Sequence, residues 1–394
     1  MPKLQEVTIS DENPTRLFPQ TFPESKCKAD AFLSTVFGRA TSFNVKTSTV
    51  NLTSDLSFVQ NGTGLTSLEI AYDYEDSLFS NVIAKSASTL ESLEYDNTYL
   101  HNVRSLVFDS EHRPIVYPRL RRLTVYNYEG YVDGSLLRMD KSVAPFPVLR
   151  RLKWHSMYIF EDDAMFRGNG STLEYLYIEA DTGLADVLRK HKVFSLGKHS
   201  RLGYVSVHCS GPDHGVQVNS DGLIRFAAGF IVPATKSLSI MSSHLRDVVH
   251  SMSTIPHLGN IQVLSLTRFR GGLADLLDIV KLFPNMTRFT CSPGTIDLEP
   301  DSMLFSEFVN GIYTQHYPLN RRLRHWEAVP EFMDEERSLP QTALAMTILC
   351  TDLVLATIPS ECIADFGHMI QNAIASGLYD RHIDKIQRIL RIVN

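Results

Sequence analysis

One short phrase recurs along the 394-residue chain and limits what it can fold into. Its clearest copies are Leu120-Arg-Arg-Leu123-Thr-Val125 and Leu149-Arg-Arg-Leu152-Lys-Trp154. Each copy holds three apolar residues, separated first by two variable residues and then by one. Because successive side chains of a β-strand point to opposite faces, the phrase predicts a strand with its apolar side chains buried. Its variable side chains are then left to meet solvent.

Twelve copies of this phrase are present, and their first residues span 319 residues in eleven steps, a mean step of 29 residues. Such a period fits one strand followed by a helix or an irregular return, which is the plan of a leucine-rich repeat. We therefore expect an α/β fold, a leucine-rich-repeat solenoid (horseshoe) with a parallel concave β-sheet, convex helices and irregular returns. The copies begin at Leu4, Ala40, Leu65, Leu90, Leu120, Leu149, Leu173, Leu202, Thr235, Ile261, Met286 and Leu323.

The repeats indicate one continuous array, because each repeat of a solenoid packs only on its neighbours. We predict a solenoid of about twelve irregular repeats over 1–340 and a helical C-terminal cap over 341–394. The first phrase starts at Leu4, and arrays of this kind normally carry a capping element at each end. We therefore expect either that more sequence precedes Met1 or that another element covers this end.

Helical spacing of apolar residues predicts the returns and the cap. The ninth position of a repeat often holds a stacking asparagine, but here it holds Asp73, Thr98, Tyr128 and Met157, so we expect irregular repeats. The predicted return helices are Glu24–Phe37, Tyr74–Ser88, Gly183–His191, Ser220–Phe230, Ser243–Met252, Gly272–Phe283 and Asp301–Gln315. The predicted cap helices are Thr342–Ala356, Cys362–Ser376 and Asp380–Ile392.

The amino-acid composition limits the ligands and the cellular compartment that we expect for the protein. A net charge of −6 gives no general attraction to nucleic acid or to an anionic membrane. No apolar run is long enough to span a bilayer, and the start has no signal-peptide core. Five scattered cysteines without a C-x-x-C pair indicate free thiols in a reducing compartment. We predict an intracellular protein, cytoplasmic or nuclear.

No catalytic constellation is evident in the sequence. It contains no phosphate-binding P-loop motif and no G-x-S-x-G nucleophile elbow. The histidines His199, His208 and His214 lie close together, but their spacing fits no zinc pattern and no cysteine pair accompanies them. We therefore predict no catalytic residues, no metal site, no cofactor and no enzymatic activity.

The variable positions of the phrases predict the surface that the sheet offers to a partner. In the middle repeats these positions, and those just past the strands, concentrate arginine, lysine, histidine and tyrosine, and Tyr and Arg in particular are enriched at binding hot spots. Alternatively, they reflect only the preference of exposed strands for such residues. An acidic, extended segment of a partner protein would suit this face. The predicted partner-binding residues are Arg122, Tyr126, Arg151, Lys153, His155, Tyr175, Tyr177, Tyr204 and His208.

Two stretches carry a resemblance to a known family. The segment from Thr89-Leu-Glu-Ser-Leu93 through Tyr117-Pro-Arg-Leu-Arg-Arg-Leu123, and the ending from Ala373 to Leu390, resemble fungal F-box/leucine-rich-repeat proteins. The resemblance implies a module that selects protein partners, namely substrates delivered to a Skp1–cullin ubiquitin ligase through an F-box. No F-box is recognisable in the chain, so we expect Skp1 and cullin as partners if an F-box precedes it. The alternative is a stand-alone scaffold or inhibitor.

Overall fold

A computed structural model of the chain describes the strands, most of their flanking turns and several return helices. Two compact units make up the chain: Met1–Gly183 with Leu196–Leu202, and Leu184–Ser195 with Gly203–Asn394. The described residues are 6–11, 42–47, 64–72, 77–96, 106–109, 111–126, 140, 142–155, 166–180, 201–209, 220–245, 248–269, 273–291, 320–328, 345–350, 353, 355–357, 367–368, 371–372, 375 and 384.

The first unit holds seven parallel strands, each hydrogen-bonded to the next in sequence order. Equivalent phrase positions face each other across these strands, so that Leu93 pairs with Leu123, and Leu123 with Leu152. Helix α1 (Ser77–Ser86) lies between the third and fourth strands. The strands are β1 (Glu6–Asp11), β2 (Ser42–Thr47), β3 (Ser67–Tyr72), β4 (Ser92–Asp96), β5 (Arg122–Tyr126), β6 (Arg151–His155) and β7 (Tyr175–Ala180).

The second unit holds six parallel strands, again paired in sequence order. Among its described helices are α2 (Ser220–Ala228), α3 (Val248–Ser253) and α4 (Leu273–Leu282). Helix α2 buries Leu223, Ile224 and Phe226 and packs against the first two strands of the unit and against α3. The strands are β8 (Tyr204–Cys209), β9 (Ser237–Leu245), β10 (Val263–Phe269), β11 (Arg288–Cys291), β12 (His325–Ala328) and β13 (Leu355–Thr357).

The predicted fold class is confirmed, because all twelve phrases form parallel strands that pair in sequence order within each unit, as in a leucine-rich-repeat solenoid. The apolar phrase positions form the core: Leu120, Leu123 and Val125 are each at most 1% exposed. Burying a side chain of this size stabilises the fold by about 1.5–3 kcal/mol. The same phrase positions are buried in the repeats whose side chains are described, from Leu65 to Trp326, so each of these repeats adds one layer of core to the next.

A thirteenth strand, β13, lies inside a segment predicted to be helical. Among the described residues of this segment, 345–349 are helical, and Leu355–Thr357 then pairs in parallel with β12. The pair His325–Leu355 and the bridge Asn320–Cys350 share one offset of 30 residues, which aligns Leu353-x-x-Ala356-x-Ile358 with the phrase. Because alanine occupies the position of the central leucine, the sequence pattern did not identify this copy of the phrase. The helix prediction for 342–356 is therefore wrong at its C-terminal end.

Four other predicted helices fall on described residues. Helices α1, α2 and α4 confirm the predictions for Tyr74–Ser88, Ser220–Phe230 and Gly272–Phe283, and each helix ends one or two residues before its predicted last residue. The prediction for Ser243–Met252 is wrong at its start, because β9 continues to Leu245 and α3 begins at Val248. Leu245 pairs with Phe269 after a register shift in β10, so strand pairing replaces the first helical turn.

The remaining helix predictions concern residues outside the described part of the chain. Helices Glu24–Phe37, Gly183–His191 and Asp301–Gln315 lie outside it entirely, as do most residues of the two last cap helices. Among the helices that the structure does describe, none combines the length and the apolar character that a membrane crossing requires.

Side chains just before the strands tie consecutive repeats together. The hydroxyl of Thr89 donates to the carbonyl of Leu65 at 2.8 Å, and that of Thr172 donates to the carbonyl of Leu149 at 2.9 Å. In the second unit the amides of Asn260 and Asn285 donate to the carbonyls of Pro233 and Gly259 in the same way. All four residues immediately precede the first apolar residue of their phrase. This ladder provides polar bonds between repeats, although the ninth position lacks asparagine.

Asn320 makes the most extensive of these inter-repeat contacts. It is 3% exposed, and its amide nitrogen donates to the carbonyl of Phe283 at 2.9 Å. Its side-chain oxygen accepts from the backbone N–H groups of Arg322 at 2.7 Å and Leu323 at 3.0 Å. One buried side chain therefore fixes the entry into β12 and joins it to the preceding repeat.

Aromatic and sulfur-containing side chains fill the core of each unit. In the first unit the rings of Tyr117 and Phe146 stack with centroids 5.4 Å apart. In the second unit the indole N–H of Trp326 donates to the sulfur of Cys291 at 3.4 Å, and burial raises the pKa of that thiol to about 12. Cys209, Cys291 and Cys350 are free and buried, which confirms the prediction for these three cysteines.

Candidate functional site

Three rows of side chains cross strands β4 to β7 on one face of the first unit. Register places equivalent residues directly opposite each other, with neighbouring strands about 4.8 Å apart. The first row is Ser92, Arg122, Arg151 and Tyr175. The second row is Glu94, Thr124, Lys153 and Tyr177, and the third row is Asp96, Tyr126, His155 and Glu179.

Buried and more exposed side chains alternate along each strand, and the three rows lie on the more exposed face. In β6, Leu152 and Trp154 are buried while Arg151 and Lys153 are exposed, and β5 shows the same alternation. Tyr126 and His155 were predicted to lie just past the strands, but each is the last residue of its strand and stays in register. The structure thus brings seven predicted residues together, here named the β5–β7 patch: Arg122, Tyr126, Arg151, Lys153, His155, Tyr175 and Tyr177.

The cationic side chains of the β5–β7 patch lie side by side. Arg122 and Arg151 are directly opposite on adjacent strands, and Lys153 is two residues further along β6 on the same face. In the part of the chain that the structure describes, none of the three side chains has an ion-pair partner. Like charges directly opposite each other in a sheet destabilise it. An anionic group bound between them would remove this repulsion.

A hydrogen-bonded group occupies the end of the patch. The phenol of Tyr177 donates to the carboxylate of Glu179 at 2.5 Å, and Nδ1 of His155 lies 3.2 Å from the same oxygen. The side chains of His155 and Glu179 are only 16% and 14% exposed, so water screens this contact weakly. The ring of Tyr126 meets that of His155 edge-on at 6.2 Å. These contacts fix the orientation of the aromatic rings.

Burial and neighbouring carboxylates hold the two phenols of this group in their neutral form. The pKa of Tyr177 is raised well above its usual value, first by burial and then by the hydrogen bond to Glu179. The pKa of Tyr126 is also raised, by burial first and then by the charges of Glu94, Asp96 and Glu179. At neutral pH both phenols therefore keep their hydrogen and can donate it to an acceptor.

Acidic residues border the patch on its other side. Glu94 and Asp96 belong to β4, and Glu69 on β3 pairs with Glu94 in register. All three side chains are half-buried on the same face as the patch. Across four neighbouring strands the face therefore changes from acidic to basic to aromatic.

The two remaining predicted residues, Tyr204 and His208, lie on β8 in the second unit. Both are half-buried, whereas Ser206 between them is 4% exposed. Ser206 occupies a variable phrase position on this face, yet its side chain does not meet solvent. Its small hydroxymethyl group lies between two larger side chains on the same face, which shield it from solvent.

In the second unit, the face formed by the variable phrase positions has a different chemical character. Ser239 on β9 pairs in register with Ser265 on β10, and Ser237 on β9 pairs with Val263. The only arginine among the described strand positions of this face, Arg288, forms an ion pair of 2.8 Å with Glu327. Glu327 also accepts from the hydroxyl of Thr290 at 3.2 Å. This arginine is thus neutralised within the unit, unlike Arg122 and Arg151.

Sequence reasoning did not assign Glu179 to the predicted site, although this carboxylate organises one end of the patch. The available signal was its spacing, because Glu179 follows Tyr177 by two residues and so shares its face. Of the three histidines considered as metal ligands, only His208 belongs to the described residues. Within those residues no group of three His, Cys, Asp or Glu side chains could hold a metal ion.

Comparison with known proteins gives no closer assignment than the fold itself. No model of a known protein family matches the chain, and no curated protein is detectably similar to it in sequence. The arrangement of parallel strands in sequence order is that of a repeat solenoid, and such a sheet is compatible with a protein-binding module.

Proposed function

We propose that the chain is a protein-interaction module that binds an extended, negatively charged segment of a partner protein on the β5–β7 patch. The single observation behind this proposal is that Arg122 lies directly opposite Arg151, with Lys153 beside them on the same face, and that none of the three has an ion-pair partner among the described residues. Tyr175 and Tyr177 on the next strand supply aromatic surface beside these charges.

Physical reasons support this choice of surface. Exposed cations that lack a carboxylate partner need not break an existing ion pair when an anion binds, and hydrogen bonds to charged groups contribute about 1.5–3 kcal/mol each. Tyrosines that are already oriented lose little entropy on binding. The hydrogen bond between Tyr177 and Glu179 provides such orientation.

We also propose that the protein is not an enzyme. The described titratable groups of the patch include one close histidine–carboxylate contact, His155 with Glu179. That carboxylate already accepts the phenol of Tyr177. The group therefore serves to hold aromatic rings in place.

For the cellular role, we propose the substrate-recognition part of an F-box-type ubiquitin ligase adaptor that acts in the cytoplasm or nucleus. The support is the sequence resemblance, together with a repeat sheet of the kind that binds protein substrates. A stand-alone scaffold or inhibitor is the alternative. The full-length gene product expressed in a fungal cell should co-purify with Skp1 and cullin, whereas partners without either protein would favour the alternative.

Partner binding is tested by combining Arg122→Ala, Arg151→Ala and Tyr177→Ala in one variant. Quantitative pull-down should show loss of the partners that the unchanged chain retains. The matched control is Arg288→Ala, because Arg288 occupies the same phrase position but is already paired with Glu327. An unchanged partner list for the triple variant would reject the patch as the binding surface.

A further inference from the structure

The face formed by the variable phrase positions of the first unit carries three carboxylates beside three cations. The carboxylates lie on β3 and β4, and the cations lie on the next two strands, β5 and β6. The boundary between the two signs of charge therefore runs parallel to the strands, between β4 and β5. We call these two groups the acidic half (Glu69, Glu94 and Asp96) and the basic half (Arg122, Arg151 and Lys153).

One row of the sheet shows how this face matches a second copy of itself. Across β3 to β6 the row reads Glu69, Glu94, Thr124 and Lys153, each directly opposite the next. Turning a second protomer over about an axis parallel to the strands, between β4 and β5, reverses the order of this row. Glu69 of one protomer then lies directly across from Lys153 of the other, and the two-fold axis makes this contact twice.

The neighbouring row leaves room for the arginines in the same arrangement. It reads Ser67, Ser92, Arg122 and Arg151. After the same rotation each arginine lies across from a serine, so the long side chains meet small ones and not each other. Arg122 of one protomer reaches Glu94 of the other two residues along the strand, a distance of about 7 Å.

A two-fold axis perpendicular to the strands gives the opposite result. It places each strand over the same strand of the other protomer, so that the acidic half faces the acidic half and the basic half faces the basic half. Like charges repel at the separation of two packed sheets, about 10 Å. The charges therefore favour the axis that is parallel to the strands.

We propose that two copies of the chain associate through this face, about a two-fold axis that runs parallel to the strands between β4 and β5. Strands β2 to β7 of each protomer overlap about this axis and cover roughly 500 Å² of sheet per protomer at the usual strand spacing and rise. The total of roughly 1,000 Å² is the size of a weak or transient interface. Because its contacts are between exposed charges, the association weakens as salt is added.

Self-association covers the β5–β7 patch, so a second copy and a partner protein compete for the same surface. The dimer follows from the charges of the face alone and does not require the proposed function. The two proposals can therefore fail separately. Where both hold, dilution of the protein frees the patch, because the dimer dissociates as its concentration falls.

Sedimentation equilibrium of the full 394-residue chain measures the self-association directly. The concentrations extend from about 1 μM to about 500 μM, which spans the affinities expected of a weak interface. At low salt the average mass should rise from that of one chain toward that of two. In about 1 M salt, where the Debye length is about 3 Å, the mass should stay close to that of one chain.

Charge reversal locates the interface on the sheet. Glu69→Lys and Lys153→Glu should each weaken association at least about 10-fold, because the two-fold axis turns two attractive contacts into two repulsive ones. Lys236→Glu is the matched control, since it makes the same charge change at an exposed lysine of the second unit. This control should associate like the unchanged chain.

An equimolar mixture of Glu69→Lys and Lys153→Glu tests the direction of the axis. One variant then carries lysine at both positions and the other carries glutamate at both, so both contacts of a mixed dimer are attractive. The mixture should recover the association that each variant has lost alone. Within one chain β3 and β6 are about 14 Å apart, so this recovery requires two protomers, and a folding defect would not be rescued by mixing.

Three results would overturn the inference. The first is a mass that remains that of one chain at every concentration in low salt. The second is an equal affinity for self-association in Glu69→Lys, Lys153→Glu and Lys236→Glu, which would place the interface elsewhere. The third is a mixture that does not associate. The pull-down with the triple variant tests the proposed function independently, because it measures partners and not self-association.

Discussion

The phenol of Tyr177 donates a hydrogen bond of 2.5 Å to the carboxylate of Glu179, two residues further along the same strand. Side chains separated by two residues share a face of a strand, so this contact requires no other element. His155 on the neighbouring strand approaches the same oxygen at 3.2 Å. One carboxylate thus holds an aromatic ring and an imidazole from two adjacent repeats.

The bond between Tyr177 and Glu179 is open to a double-mutant test. Tyr177→Phe should lower the free energy of unfolding by about 1 kcal/mol, because the lost partner is charged but partly exposed. Glu179→Gln should cost a similar amount, and the double variant should cost less than their sum because the pair interacts. Urea denaturation measures each value. Strict additivity would show that the two side chains are not coupled in solution.

Alkaline pH should destabilise the first unit. The pKa of Tyr117 is raised by burial, and its hydroxyl donates to the carbonyl of Leu106, while the pKa of Tyr177 is also raised. Both groups keep their proton when folded but lose it near pH 10 when unfolded. Their stabilisation is therefore complete below pH 10 and is lost as the pH rises further.

For the fully buried Tyr117, the loss should approach about 1.4 kcal/mol per pH unit above pH 10. The contribution of Tyr177 is smaller because solvent screens it. Denaturation at increasing pH measures the slope, and Tyr117→Phe should reduce it although it also lowers stability at neutral pH. An unchanged slope in this variant would contradict the assignment to Tyr117.

Acid should destabilise the second unit in two steps. The pKa of His325 is lowered, by burial first and then by Arg288, so the folded chain binds its proton less readily than the unfolded chain. The associated stability is present above about pH 6.5 and is lost as the pH falls through the lower folded pKa. Replacement of His325 by Asn should remove this step from denaturation curves measured between neutral and acid pH.

The second acid step belongs to Glu327. The pKa of its carboxyl is lowered, first by the hydrogen bond from Arg288, so its stabilisation is present above about pH 4.3 and is lost below the folded pKa. Glu327→Gln should cost about 0.5 kcal/mol at neutral pH, the usual value for an exposed ion pair. The same step persisting in Glu327→Gln would assign it to another carboxylate.

Asn320 should be among the most sensitive polar positions of the second unit. Asn320→Ala removes three hydrogen bonds and leaves the buried carbonyl of Phe283 without this donor, so we expect a loss of about 2–4 kcal/mol. Asn285→Ala is the matched control, because it removes one partly buried bond to Gly259 and should cost about 1 kcal/mol. Equal losses for both variants in thermal unfolding would show that the extra bonds contribute nothing.

The strands were predictable from sequence because the phrase fixes both their place and their register. Leu123 opposite Leu152 follows directly from aligning two copies, and this alignment also places Arg122 opposite Arg151. Strand β13 was missed because Ala356 stands where the pattern requires a large apolar residue. The conformation of Leu355–Thr357 depends on its pairing with β12. A pattern of neighbouring residues cannot predict such a partner from elsewhere in the chain.

For the candidate site, the sequence predicted which residues share a face of the sheet, but it did not predict which of their side chains contact each other. Alternation placed Tyr177 and His155 on the exposed face, as observed. Which atoms meet depends on side-chain rotamers, and so the shared acceptor Glu179 was not identified. The extra length of β9 depends on a register shift against β10, which no spacing within β9 indicates.

The indole of Trp326 against the sulfur of Cys291 gives the protein a pair of distinguishable optical reporters. Trp154 and Trp326 are the two tryptophans of the chain, and they belong to different units. A thiol in contact with an indole quenches its emission, so the folded protein should fluoresce mainly from Trp154. Emission from Trp326 should increase when the second unit unfolds. Fluorescence of the unlabelled protein could therefore follow the unfolding of each unit.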